Sequence, residues 1–205
     1  MIVGENIVKK FGDFILFDDL NFKIMDGEFI CFSGESGTGK TTLLNIIGLI
    51  EPIDSGKLLI NGKEYTTKRD KRDYFRKDVG FLFQNFALIE NKTVKQNLEL
   101  VITDEKSVSI PDALRWVGLE NKLNNKVYTL SGGEQQRIAL ARLLIKQCNI
   151  ILADEPTGSL DKRNANMVIR LLRGLNDTGK TVIMVTHDEE IKKQADRIIN
   201  INKDV

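Results

Sequence analysis

Cysteine and histidine are nearly absent from this sequence: 205 residues hold two cysteines, Cys31 and Cys148, and one histidine, His187. With no Cys-x-x-Cys pair and no histidine cluster, the ligand inventory argues against a disulfide framework and against a structural metal site. Cys31 lies inside an apolar run, and a reducing compartment is expected. Long hydrophobic runs are missing as well. None reaches the roughly 18–20 residues needed to span a bilayer. The opening residues, MIVGENIVKKFGDF, include acids and lack the apolar core of a signal peptide. A cytoplasmic location is therefore expected, with any membrane role exercised through a partner at the inner face of the membrane. An excess of one charge is the third absence. Lys and Arg number 30 against 29 acids, a net charge of +1. Surfaces built to hold a phosphate backbone usually carry a basic excess, so no nucleic-acid partner is expected. Internal repeats, low-complexity tracts and long charged linkers are lacking too, so the chain carries one copy of whatever it does.

What is present fits a folded domain of ordinary size, or one with a small subdomain. Hydrophobic residues make up 41% and charged residues 29%, enough for a core without covalent staples. The first thirty residues read as short strands separated by turns. Ile15–Phe17 and Leu20–Ile24 are apolar-rich, with Asp18-Asp19 between them and Asp26-Gly27 after. Phe29-Ile30-Cys31-Phe32 is continuously apolar, as in a strand buried on both faces. Lys57–Ile60 is a further short strand, ending at the turn pair Asn61-Gly62. Val79–Phe83, Asn149–Ala153 and Thr181–Val185 are three more, set beside helical stretches such as Thr41–Ile47, Glu134–Lys146 and Arg163–Leu175. Buried strands alternating with helices predict an α/β fold with a mostly parallel sheet. From about Phe86 to Leu130 the chain turns polar and Asn/Lys-rich, with amphipathic patches such as Asp112–Leu119. That stretch predicts a mostly helical insertion between strands.

Gly34-Glu35-Ser36-Gly37-Thr38-Gly39-Lys40-Thr41 fits the P-loop pattern, GxxxxGK followed by Ser or Thr, at every fixed position. Glycines let the backbone curl so that successive N–H groups point inward and form an anion nest. The helix that follows, through Thr41 and Thr42, aims its positive end at the same point. Lys40 is placed to reach the β- and γ-phosphates of a nucleotide, and the Thr41 hydroxyl to ligate Mg²⁺. Downstream, the apolar strand Asn149–Ala153 runs into two carboxylates, Asp154 and Glu155. Strand ends at the carboxyl edge of an α/β sheet are where such folds place their chemistry. Asp154 suits the hydration shell of Mg²⁺, and Glu155 suits polarisation of an attacking water.

The segment Leu130-Ser131-Gly132-Gly133-Glu134-Gln135-Gln136-Arg137 resembles the LSGGQ signature of ATP-binding cassette proteins. Its logic repeats that of the P-loop, since Ser131, Gly132 and Gly133 open a helix whose N-terminus can meet a phosphate. The other marks of the family follow in order. Gln84 matches the Q-loop glutamine, expected to reach Mg²⁺ and the water. Ser159-Leu160-Asp161 matches the D-loop, with Asp161 near the nucleotide. His187, in Val185-Thr186-His187-Asp188, matches the switch histidine that bonds a γ-phosphate. Phe11 fits the position of the adenine-stacking aromatic. The family usually has Tyr there, and Phe keeps the stacking face while losing the hydroxyl. The resemblance covers essentially the whole chain, 1–205, as one cassette with a P-loop core. It also implies an N-terminal antiparallel β subdomain and a helical insertion at about 86–135.

That resemblance implies an ATPase using ATP and Mg²⁺. It further implies that two cassettes, expected to be two copies of this chain, sandwich ATP between Lys40 of one and Ser131 of the other. Hydrolysis would power separate transmembrane permease subunits. The wording around Val79–Phe86 and Ala153–Asp161 is most similar to one bacterial branch, serving lipoprotein release, macrolide-type and peptide-antibiotic export, and cell-division signalling. Several of its members act by mechanotransmission rather than through a pore. Two rivals are weighed against this. DNA-repair cassettes need a long inserted coiled coil, and no heptad is sustained here; translation cassettes usually come in linked pairs. A regulatory cassette that controls a membrane partner without moving cargo would carry the same chemistry, and the sequence leaves that alternative open.

Overall fold

In a computed structural model of the chain, residues 1–101, 108–146 and 148–201 are described. Five strands form a parallel sheet in the order β5-β6-β7-β3-β8: β3 (Phe29–Ser33), β5 (Val79–Leu82), β6 (Ile150–Asp154), β7 (Thr181–Val185) and β8 (Arg197–Asn200). Neighbouring residues of a strand point to opposite faces, and both faces of this sheet are buried. Phe29, Cys31, Ile151, Ala153, Val182 and Met184 join one apolar cluster with α5 (Gly132–Ile145) and α6 (Lys162–Asp177). Ile30, Phe32, Ile150, Leu152, Ile183 and Val185 join the other, with α1 (Lys40–Ile47) and α2 (Lys68–Lys77). Continuous apolar strands are what this two-sided burial demands, at about 1.5–3 kcal/mol for each large side chain fully removed from water.

Three more strands make an antiparallel sheet in the order β2-β1-β4: β1 (Ile2–Phe11), β2 (Phe14–Ile24) and β4 (Ser55–Ile60). Between β5 and β6 the chain is helical, with α3 (Val94–Glu99), α4 (Ile110–Trp116) and two short 3₁₀ turns ahead of α5. Of the insertion expected at about 86–135, residues 102–107 lie outside the described residues. The short α7 (Glu189–Lys192) follows β7. The fold is thus the mixed α/β architecture expected, a parallel sheet beside an antiparallel N-terminal one.

The structure corrects the sequence reading in four places. Ile15–Phe17 and Leu20–Ile24 are not two strands; Asp18 and Asp19 stay within one long β2, where Asp19 takes φ +63° beside an irregular register with β1. The strands expected at Val79–Phe83 and Asn149–Ala153 run from Val79 to Leu82 and from Ile150 to Asp154. Helix α2 was not expected, because KRDKRDYFRK buries only Tyr74; its start is marked instead by a capping box between Thr67 and Asp70. Strand β8 was not expected either, since an edge strand with mostly exposed residues leaves little apolar signal.

Candidate functional site

Parallel pairing brings distant motifs together. Phe32 lies opposite Val185, Val185 opposite Asp154, and Leu82 opposite Ala153, so β3, β7, β6 and β5 end at one level. The loops that follow them all emerge at the carboxyl edge of the sheet, where α/β folds bind ligands. There, a cleft of about 620 Å³ is lined by Phe11, Leu16, Ser36, Gly37, Gly39, Lys40, Thr41, Thr42, Gln84, Asp154, Glu155, Gly158, Val185 and His187. Eleven of the predicted site residues, His187 among them, therefore meet in one place. Leu16, Gly158 and Val185 also line it and were missed: Leu16 reaches it from β2, and no local signal in the sequence points across the two sheets.

The loop between β3 and α1 is built around glycine. Gly39 caps α1 at φ +90°, a conformation that disfavours side chains, and a Cβ there would stand 2.7 Å from Phe17 Cζ. No side chain caps α1 and its first turn holds no acid, so its leading N–H groups are free for an anion. The buried Lys40 ammonium donates to the Gly34 carbonyl at 2.8 Å and the Glu35 carbonyl at 2.6 Å. Burial pulls its pKa below the ordinary value, opposed by the nearby Glu155 charge. Gly34, Glu35 and Thr38 shape the loop rather than line the cleft; the Thr38 hydroxyl donates to Glu35 O at 3.0 Å.

Two carboxylates face that loop. The Thr41 hydroxyl donates to Asp154 Oδ1 at 3.0 Å, tying the start of α1 to the end of β6. Burial pushes the Asp154 pKa up and the Thr41 bond opposes this. Glu155 sits at φ +44°, a strained position for a residue with a side chain, of a kind that clusters at active sites. Its Oε1 is buried without a well-aligned donor, and His187 Nε2 stands 3.3 Å away. Burial raises the Glu155 pKa; His187 lowers it and Asp154 adds to the rise. A carboxylate held this way binds its proton more readily than one in water, as a group that accepts a proton from water requires.

Ser131, Gly132, Gly133 and Asp161 are not in this cleft. Ser131 caps α5: its side chain accepts from Glu134 N, and Glu134 Oε2 accepts from Ser131 N at 2.8 Å. Asp161 caps α6 and accepts from Asn164 N at 2.9 Å. A second cleft, about 630 Å³, opens beside Gln84, floored by Phe75, Phe81, Phe83 and Leu143 and rimmed by Lys68, Lys71, Arg72 and Lys146. Arg142 of α5 donates to the carbonyls of Phe86 and Ala87, two residues at positive φ in the turn that begins at Gln84.

The model of the family described as ABC transporter matches residues 17–158. The chain belongs to that family. It is an ATP-binding cassette and an ATPase. Similar proteins include an ABC transporter ATP-binding protein of Methanocaldococcus jannaschii, 40% identical over 98% of this chain and 95% of that protein. The macrolide export ATP-binding/permease protein MacB of Campylobacter jejuni is 39% identical over 98% of this chain, but the cassette spans only 33% of its length. Among solved structures, the dimeric structure of the bacterial ABC transporter cassette MJ0796 matches with a TM-score of 0.88 at 36% identity, covering 98% of this chain and 94% of that one. A second structure of that cassette, a dimeric post-hydrolysis state bound to ADP and Pi, matches with a TM-score of 0.87 at 35% identity, covering 98% and 94%. Among the described residues no helix is long and apolar enough to cross a membrane.

Proposed function

We propose that the cassette hydrolyses ATP with Mg²⁺ at a site completed by a second copy of the chain, and that this cycle drives a separate transmembrane permease. The observation that carries the proposal is a division of the motifs. The P-loop, Gln84, Asp154, Glu155 and His187 share one cleft, while Ser131, Gly132, Gly133 and Asp161 stand outside it. A site made of both sets needs two chains. The dimeric MJ0796 structures support this reading for their own chain.

Mg²⁺ fits the donors present. Among the described residues no cluster of three or more His, Cys, Asp and Glu could hold a metal. Mg²⁺ at a nucleotide site instead takes one or two protein oxygens with phosphate and water, and the Thr41–Asp154 pair offers a hydroxyl and a carboxylate in contact. Thr41, Asp154 (through water) and Gln84 would hold the ion, which spreads charge on the β- and γ-phosphates. Phe11 stacks the adenine. Lys40 exchanges its two loop carbonyls for phosphate oxygens. Glu155 orients water toward the γ-phosphorus and takes its proton as the bond to ADP breaks; His187 bonds the departing phosphate. Signature residues of the partner cover the other side of the phosphates.

The whole chain, 1–205, acts as one cassette, with its helical insertion and the aromatic cleft beside Gln84 facing a permease at the inner face of the membrane. The MacB relative is an ATP-binding/permease protein, which supports a transmembrane permease as the partner of this cassette. Its cargo class is peptide, lipid or antibiotic-like, moved by export or mechanotransmission. Steady-state ATP hydrolysis over a range of protein concentrations, beside Glu155→Gln, tests the reading. Specific activity is expected to rise with concentration, and Glu155→Gln to lose nearly all turnover yet form an ATP-dependent dimer by size exclusion. Activity independent of concentration, with no such dimer, would reject the composite site.

A further inference from the structure

Lys9 is a charged residue withdrawn from solvent. It is only 5% exposed, and it shares a face of β1 with Phe11, two positions on. Its ammonium lies 2.6 Å from Glu51 Oε1, donates to the Pro52 carbonyl at 2.9 Å, and stands over the Phe11 ring, 4.7 Å from the centroid. An apolar residue of similar volume is commonly as good or better for stability than a buried ion pair. Charge at this position therefore asks for a use, and the ring it covers is the one facing the nucleotide cleft.

The anchors of Lys9 matter as much as the contact. Glu51 and Pro52 lie four and five residues past Ile47, the last residue of α1, which begins at Lys40 of the P-loop, and the N–H groups of Ile50 and Glu51 donate back to Asn45 O. The same loop grips β1 on either side of Lys9: Asp54 N donates to Val8 O and Lys10 N donates to Asp54 Oδ2. The tip of β1, which carries Phe11, is thus fixed to the far end of the helix that begins at the phosphate loop.

We propose that Lys9 is a positioning residue for the nucleotide base, holding the Phe11 ring from one face and leaving the other for adenine. A cation on a ring face within about 6 Å is attracted by the ring quadrupole. It also draws π density toward itself, which favours a purine on the opposite face. Fixing the ring beforehand removes an ordering cost at binding. The inference rests on the reading of Phe11 as the adenine platform.

Calorimetric titration with ATP and with inorganic tripolyphosphate, each with Mg²⁺, tests it on wild type, Lys9→Met, Lys9→Arg, Phe11→Ala and the Lys9→Met/Phe11→Ala double variant. The single tryptophan, Trp116, reports folding. Lys9→Met is expected to weaken ATP about three- to fivefold and to leave tripolyphosphate, which has no base, unchanged. Lys9→Arg restores ATP affinity, and Lys9→Met has no further effect once Phe11 is removed. Equal weakening of ATP and tripolyphosphate, or a full Lys9→Met effect in the Phe11→Ala background, overturns the proposal. If Phe11→Ala weakens ATP and Lys9→Met does not, Lys9 is refuted while the platform reading stands. If Phe11→Ala leaves ATP unmoved, the platform reading falls and Lys9 with it. Should Lys9→Met not fold, Glu51→Gln, which loosens the same ammonium, is expected to weaken ATP alone by about twofold.

Discussion

Two helices of this cassette begin in glycine-rich turns, and they begin differently. Helix α1 has Gly39 at φ +90° for a cap, no side-chain bond, and no acid in its first turn. Helix α5 has a complete capping box, Ser131 with Glu134, and Glu134 also pairs with Lys122 at 3.1 Å. The first helix leaves its leading N–H groups unsatisfied and so is finished only by an anion. The second is largely satisfied by its own chain. The contrast teaches that one glycine-rich turn can leave its donors open to an anion while a similar one is closed by its own side chains, a difference that the proposed composite site would use.

The contrast breaks first, and most widely, at the two leading side chains. Lys40→Ala is expected to lower turnover about a hundredfold or more and to weaken ATP binding by the isolated chain. Ser131→Ala should lower turnover too, yet leave ATP affinity of the dilute monomer unchanged; matched loss of affinity in both variants, read by calorimetry, would erase the distinction. Backbone comes next. Gly39→Ala forces a side chain into positive φ and against Phe17 and Leu16, at a cost on the order of 1–3 kcal/mol. Gly132→Ala meets nothing nearer than Phe86 Cζ at 3.9 Å, so thermal unfolding should show it neutral or slightly stabilising.

Smaller effects sharpen the comparison. Ser131→Ala removes a cap worth about 1 kcal/mol, so its unfolding midpoint should drop even without nucleotide. The smallest is a pH effect confined to α5. The hydrogen bond from Ser131 N, helped by Lys122, holds the Glu134 pKa below its ordinary 4.5, against a smaller opposing effect of burial. A lowered carboxylate pKa stabilises the fold above the unfolded value and is lost as pH falls through the folded one. The stability gap between wild type and Glu134→Gln should therefore hold at neutral pH and close as pH drops below about 4.5. A gap that widens on acidification would contradict the cap. For Glu155, whose pKa is raised mainly by burial, the acid limb of the turnover profile should lie above the usual glutamate range.

Legibility followed the kind of signal each segment carried. Strands β3, β6 and β7 were readable because burial on both faces demands unbroken apolar runs such as Phe29–Phe32. Helix α2 and strand β8 were not, since each buries little and its place is decided by neighbours. Asp18-Asp19 read as a turn, yet the long pairing with β1 absorbs both residues in β2 by a shift of register. Phe11 and His187 were legible from motif position, while Leu16 was found only once β2 crossed toward the P-loop.

By itself the sequence determined the motifs: which residues make the P-loop pattern, which carboxylates end β6, and which family the chain belongs to. Those are local facts, because a nest of N–H groups or a strand-end acid is written in consecutive residues. Tertiary structure decided what meets what. Parallel registry levelled the ends of β3, β5, β6 and β7 into one cleft and left Ser131 and Asp161 outside it, while the loop after α1 set Glu51 against Lys9. Such contacts join residues far apart along the chain, and only packing of the two sheets fixes them.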